Sequence, residues 1–274
     1  MSRAKYVLVF TLTVLLWFPL FWMFKGSFEN VSGVLSVPPT LVPRTVTTAN
    51  YRYLLRAAPI LRWLGNTVFI SVVSVSLSVS VSAVSAYAFS VFRFRGRRLL
   101  FWLYMASIMF PGHALFVPKF LVIRGLHLGG TRWAVILLYL FSPVHIYLFK
   151  CYLDKVPSTI RDCARIDGAG EARIIFQLMV PLCLPIAGAL ALFVFMGCLQ
   201  DYIWQYLMLG DDAKKTLIVG IIGKVMREAR NVSSPNPIGL SLAGGTILLA
   251  PLLAIFAVFQ KTFRRGIMVG GVRE

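Results

Sequence analysis

Residues 73–85 read VSVSLSVSVSAVS, and the reading of this run decides between two folds. Apolar and polar residues alternate with period two, as they do in a strand with one buried face. A tilted strand crosses a bilayer in about 9–11 residues. The charge-free stretch around this run extends from 64 to 92, far more than a strand needs. Its apolar neighbours show no alternation, so they cannot supply the other strands of a barrel. On a helix, Ser71, Ser74, Ser78, Ser82 and Ser85 recur at steps of three and four and form one small-residue stripe. Such stripes let helix backbones approach closely where no hydrophobic driving force exists. The run is therefore read as a helix with a packing face rather than a polar pore lining.

Outward from this helix, apolar runs of similar character lie near 6–24, 99–123, 133–153, 182–201 and 240–260. A helix needs about 20 residues to cross a hydrocarbon core about 30 Å thick, and each run is near or above that. Residues 6–24 follow Arg3 and Lys5 as the apolar part of a signal peptide would. No small-residue cleavage site follows, and Trp17, Pro19 and Trp22 are unusual in such a region, so a retained span is expected. The sequence predicts an all-α polytopic membrane protein of six transmembrane helices, forming one transmembrane domain over 1–274.

The chain is 58% hydrophobic with a mean hydropathy of +0.77, and its 28 Lys and Arg outnumber ten Asp and Glu. In a chain this apolar, the basic excess marks loops that face anionic lipid and fix orientation, rather than nucleic-acid binding. With the N-terminus inside, fifteen of the 28 basic residues fall in internal segments. Density in short loops decides the matter, and Arg93, Arg95, Arg97 and Arg98 between spans two and three are the densest group. Both ends are then cytoplasmic, and so is the loop at 158–181. The cysteines at 151, 163, 183 and 198 have no Cys-x-x-Cys spacing and no nearby His partner. They read as small buried or interfacial residues, with neither a disulfide framework nor a metal site expected.

Residues 160–185, IRDCARIDGAGEARIIFQLMVPLCLP, form a charged, glycine-containing loop between apolar segments. Pro157-Ser158 is a reasonable helix start with Ser158 as N-cap. The helix would carry Asp162, Cys163, Ala164 and Arg165, with Asp162 and Arg165 sharing a face. Gly168 would end it in a left-handed turn, and a second helical stretch from Glu171 would run to Pro181 and feed span five. The stretch resembles the cytoplasmic coupling loop of ABC-importer permeases, the EAA loop: Glu-Ala-Ala, three residues, Gly, nine residues, Ile-x-Leu-Pro. Asp162-Cys163-Ala164, Gly168 and Leu178, Val180, Pro181 stand at those positions.

The resemblance runs almost end to end and is to MalG-type permeases of binding-protein-dependent carbohydrate importers. Arg44-Thr45-Val46-Thr47 with Asn50-Tyr51 resembles the segment before span two. Trp63-Leu64-Gly65-Asn66-Thr67 resembles its entry, and Ala86-Tyr87-Ala88-Phe89 with Phe94-Arg95-Gly96 its exit. Met109-Phe110-Pro111-Gly112 resembles the proline break of span three, with His113 where the family commonly has Gln. Leu199-Gln200-Asp201-Tyr202 and Trp204-Gln205 stand where the family has Trp-Asn-Asp-Phe and Trp-Pro, and the tail from Phe259-Gln260-Lys261 to Gly270-Gly271 resembles the family ending.

The resemblance implies a permease subunit in a prokaryotic cell membrane that encloses the solute path with a second permease chain. Two nucleotide-binding subunits would sit inside, and a solute-binding protein would dock outside on 25–63 and 202–239. The coupling contact would be made by Asp162, Cys163, Ala164, Arg165, Asp167, Gly168 and Ala169. A carbohydrate or carbohydrate-like solute would pass Gln200, Asp201, Tyr202 and Trp204, with His113 and Tyr147 as further candidates. Amides, carboxylates and rings suit sugars, although Tyr202 and Trp204 also fit an interfacial aromatic belt. The main alternative is an ion-coupled secondary transporter or channel, and a permease for a non-carbohydrate solute is another.

No phosphate-binding loop is present. The only Gly-Lys pair, Gly223-Lys224, is followed by Val225 and has Ile218 at the leading glycine position. ATP and Mg are therefore expected on partner subunits, with no cofactor or catalytic residue in this chain. An ion-coupled transporter or channel needs ionisable groups within the membrane. The apolar runs offer Asp201, His113 and His145 and almost nothing else. An intramembrane hydrolase would need a Ser-His, carboxylate-pair or zinc motif that these spans do not contain.

Overall fold

The computed structural model describes the backbone of residues 3–229 and 236–271, and side chains over 5–227 and 236–257. Every regular element among the described residues is helical. The tail segment 259–271 therefore lies outside the described side chains, and Arg273 outside the described residues. The VSVS run is helical within Ile60–Val91. Ser71, Ser74, Ser78 and Ser82 are fully buried, while the other faces carry exposed apolar residues such as Val72 and Val84.

Among the described residues, three helices are long and apolar enough to cross a membrane alone: Lys5–Ser27, Ile60–Val91 and Pro237–Ala257. Of the other three expected spans, two are broken and the one at 182–201 has a bend at its entry. Arg97–Met109 and Gly112–Gly125 meet at 103°, at Phe110-Pro111. Arg132–Tyr139 and Pro143–Leu153 meet at 45°, and Glu171–Leu182 meets Leu184–Gln200 at 86°. Proline accounts for the breaks. It has no N–H to donate and disfavours helical geometry in the residue before it, and Pro111, Pro143 and Pro185 stand at or beside the three corners. The expectations of continuous spans over 99–123 and 133–153 are corrected accordingly.

The chain divides into two compact units, 1–66 with 215–254, and 67–214 with 255–274. In the first, Lys25 and Glu29 form an ion pair of 2.8 Å at the end of the first helix, with side chains 3% and 0% exposed. The Lys25 ammonium also lies 4.7 Å from the Trp22 ring centre. Removing either partner would strand a buried charge, which costs more than the pair itself contributes. Around it the backbone is tied by amides. Asn50 Nδ2 donates to Ser27 O (2.8 Å) and Glu29 O (3.0 Å), and Asn236 Nδ2 donates to Glu29 O (2.8 Å). The segment 25–63, expected as an outer loop, is thus an ordered cap containing the helix Ala49–Ala57.

Trp63, fully buried, centres the apolar cluster of this unit with Leu54, Leu217, Ile221, Val225 and Leu240. Gly220 lies flat beneath its indole, and a Cβ there would fall inside the ring. Gly223, one turn further on, has no atom within 4 Å of such a Cβ. Alanine should favour a helix over glycine by about 1 kcal/mol, but overpacking costs about 1–3 kcal/mol. Gly220→Ala is therefore expected to lower the thermal midpoint of the purified protein and Gly223→Ala to leave it unchanged or raise it, as differential scanning fluorimetry would measure.

Candidate functional site: a capped surface helix and an open cavity

The second unit holds both groups of residues singled out in the sequence. The helix Ser158–Ile166 begins on Pro157, which has extended geometry and makes no side-chain cap bond. Ser158 is the first helical residue, not the N-cap, which corrects the sequence expectation: proline's fixed φ and missing N–H stop the helix from beginning earlier. Its C-terminus follows the reading closely. Gly168 has φ +79°, with its N–H on Arg165 O (3.0 Å) and the Ala169 N–H on Ala164 O (2.9 Å). This pair of bonds is the Schellman closure, which needs a left-handed residue that only glycine supplies without a steric penalty.

One face of this helix packs inward. Ile160, Ala164 and Ala169 contact a cluster containing Tyr87, Phe149, Leu153 and Ile174. The other face is open: Asp162, Cys163 and Asp167 are exposed, and Ile166 is 85% exposed at the tip. Asp162 and Arg165 do share a face, 3.5 Å apart. Arg165 makes its closer bond to Glu171, Nε to Oε1 at 2.9 Å, and the buried Tyr87 hydroxyl donates to the other oxygen of Glu171 at 2.5 Å. Glu171 opens the second helical stretch, which passes through a π-helical turn at Ile174–Met179 before Pro181. One carboxylate therefore ties the surface helix to the stretch leading into Leu184–Gln200 and to the end of Ile60–Val91.

The sequence reading did not single out Glu171 or assign Tyr87 a role. A lone acid three residues beyond the glycine was the available signal, but a partner 84 residues away cannot be read from spacing. The Tyr87 hydroxyl, first, and the Arg165 guanidinium hold the Glu171 carboxyl below its ordinary pKa of 4.5, and the same contact raises that of Arg165.

The other candidates are divided. His113, Gln200 and Asp201 line one open cavity of about 580 Å³, together with Lys119, Tyr139 and Ser142. Asp201 stands where Leu184–Gln200 gives way to Ile203–Met208. Its Oδ1 accepts the Trp204 backbone N–H (3.1 Å) and its Oδ2 the Tyr139 hydroxyl (2.9 Å). Trp204 is 1% exposed, donates its indole N–H to Ala134 O (3.0 Å) and stacks on Phe116. It is a packing residue, and its place as a ring offered to a solute is withdrawn. Tyr202 stacks on Tyr206, and Tyr147 is exposed on Pro143–Leu153 outside this cavity. His145 lines the cavity with its Nδ1 3.4 Å from Ser78 Oγ. Lys119 was overlooked in the sequence, although it is the lone basic residue inside the run 99–123. Among the described residues there is no cluster of three or more His, Cys, Asp or Glu that could hold a metal.

Because its pKa is depressed in the folded protein, Glu171 contributes stability above the ordinary glutamate range, lost as pH falls through the lowered value. The tie should therefore be complete at neutral pH. Tyr87→Phe removes one donor, and Glu171→Gln removes the charge that Arg165 meets. Proteolysis within 158–170 should quicken by roughly threefold in the first variant and more in the second, a modest effect because Glu171 is partly exposed. Limited trypsinolysis at pH 7.5 measures it.

A family model described as "Binding-protein-dependent transport system inner membrane component" matches residues 78–269. The arabinooligosaccharides transport system permease protein AraQ of Halalkalibacterium halodurans is 32% identical over 93% of this chain and 91% of its own. The galactooligosaccharides transport system permease protein GanQ of Bacillus subtilis is 30% identical over 98% of this chain and 94% of its own. A solved bacterial ABC transporter involved in the import of the acidic polysaccharide alginate contains a chain with the same fold. Its TM-score is 0.85 at 22% identity, over 96% of this chain and 99% of that one. The family match spans most of the helices described above and includes both the capped surface helix and the cavity, so this chain belongs to the inner membrane components of binding-protein-dependent transport systems.

Proposed function

We propose that this chain is a permease subunit of an ATP-driven importer that carries a carbohydrate or carbohydrate-like solute, and that Ser158–Ile166 is its coupling helix. The observation that carries this reading is the tie at Glu171. A surface helix with one packed and one open face is held through Arg165, Glu171 and Tyr87 to elements that enter the membrane. A partner that grips the open face would move those elements with it, as a rigid body. The oligosaccharide specificity printed in the relatives' names supports the solute class.

In this reading the six spans are Lys5–Ser27, Ile60–Val91, the bent pairs within 97–125 and 132–153, Leu184–Gln200 and Pro237–Ala257, with both ends of the chain in the cytoplasm. Arg93, Arg95, Arg97 and Arg98 then face the inner leaflet. A second permease chain completes the path, two ATPase subunits bind ATP and Mg, and a solute-binding protein docks outside on 25–63 and 202–239. The contact with the ATPase is made by Asp162, Cys163, Ala164, Arg165, Asp167, Gly168 and Ala169, with Ala164 and Ala169 setting the packed side. Gln200, Asp201 and His113 serve the path where they line the cavity. An ion-coupled transporter would need an ion gradient and no ATP, which separates the two readings in sealed vesicles.

Gly168→Arg forces a side chain onto a residue at φ +79°. Nothing lies within 4 Å of a Cβ there, so the strain is local and insertion should proceed normally. The variant is expected to reach normal membrane levels and to lose uptake and uptake-linked ATP hydrolysis together. Wild-type transport by it would overturn the coupling assignment. A cysteine at position 162 should cross-link to the ATPase subunit with a yield that changes on adding ATP. Its labelling by an impermeant reagent from outside would invert the orientation.

A further inference from the structure

The two charged groups of the cavity beside Asp201 differ in how the protein holds them, and the difference bears on what enters it. Lys119, on the helix Phe116–Gly125, lines it and makes no hydrogen bond or ion pair within 4 Å among the described residues. The sole carboxylate in the lining is Asp201, and each of its oxygens already accepts a bond from the protein, from Tyr139 and from the Trp204 backbone. The groups left to face an occupant are an ammonium, the imidazoles of His113 and His145, the amide of Gln200 and the hydroxyl of Ser142. An ionisable group inside an apolar segment marks a functional position unless it is paired, and this lysine feels the Asp201 carboxylate only from a distance, with no ion pair within 4 Å. An ammonium is a strongly hydrated point charge with three donors. Where water is excluded, its natural partner is an oxyanion.

We infer that the cavity receives the acidic group of an acidic carbohydrate, with Lys119 as the residue that meets the oxyanion and Gln200 and Ser142 meeting the neighbouring hydroxyls. The inference rests on the importer reading and narrows its solute class. A neutral sugar would leave the Lys119 ammonium without a partner when the path closes, which penalises it relative to an acidic one. Discrimination by an unmet polar group is stronger than discrimination by shape in an open site of about 580 Å³.

The test uses the assembled importer in nanodiscs, with Cys151→Ser and Cys163→Ser removing the accessible thiols and Ser142→Cys placing a reporter in the cavity. Labelling is followed with an anionic sulfonatoethyl and a cationic trimethylammonioethyl methanethiosulfonate. The anionic reagent should react faster relative to the cationic one, by about fivefold over the ratio for free cysteine. Lys119→Gln should abolish that preference and Lys119→Arg should keep it. Digalacturonate or glucose 6-phosphate, a carboxylate and a phosphate probe, should slow labelling where galactobiose does not, and Lys119→Gln should remove the protection. The relative strength of the two probes says which oxyanion the cavity prefers. An unchanged reagent ratio in Lys119→Gln overturns the inference. Equal protection by galactobiose overturns it too, as does protection by none of the sugars. The importer reading is tested separately in the importer that keeps Cys163: if uptake into sealed vesicles does not depend on MgATP, that reading fails whatever the charge preference proves to be.

Discussion

The tie at Glu171 is the interaction on which the functional part of this structure depends. A surface helix of nine residues is too short to be stable alone, and its orientation must come from what it is attached to. Packing of Ile160 and Ala164 gives adhesion, but apolar contacts without direction permit rotation about the helix axis. The carboxylate removes that freedom, because it accepts from a guanidinium on one element and a phenol on another at 2.9 and 2.5 Å. Charge-assisted bonds of this kind are directional and stronger than neutral ones. The Schellman closure at Gly168 sets the angle at which the chain reaches Glu171, so turn and tie form one device.

Apolar surroundings shape the rest. With no water to satisfy broken backbone bonds, irregular segments in a membrane are confined to places buried in protein or facing a cavity. The bend at Phe110-Pro111 and the break at Asp201 obey this rule, since Gly112 and Asp201 both line the open cavity. At the second break the carboxylate takes over what the helix has given up, accepting the N–H of Trp204. A side chain that caps a broken helix from within a cavity has part of its hydrogen-bonding capacity committed to structure, which limits what it offers to any occupant.

Much of this was legible in the sequence for physical reasons. The serine stripe could be read because its helical spacing holds over four turns, and burial of Ser71, Ser74, Ser78 and Ser82 follows from it. The left-handed turn at Gly168 was legible because backbone geometry is local. Proline marked the break of span three, yet its angle of 103° was not readable, since tertiary packing sets it. Trp204 was misjudged because an aromatic ring near a span end fits an interfacial belt, a binding surface and a core equally well. Its bond to Ala134, 70 residues away, decides among them and leaves no trace in composition. Lys119 was hidden by the opposite effect, one charge diluted among the apolar residues of its run.

The buried serines carry a mechanical consequence. Interlocking helices resist sliding because large side chains of one must climb over ridges of the other. The buried seam of Ile60–Val91 presents hydroxymethyl groups at steps of three and four residues. A shift of one helical turn, about 5.4 Å, brings each serine near the place its neighbour has left and offers an apposed surface almost the same relief. Ser71 and Ser74 meet only the Cys198 thiol, a weak partner, and the Ser82 hydroxyl has no hydrogen bond to break as it moves. Such a seam works as a bearing: it keeps two helices in contact while offering little friction to their relative travel.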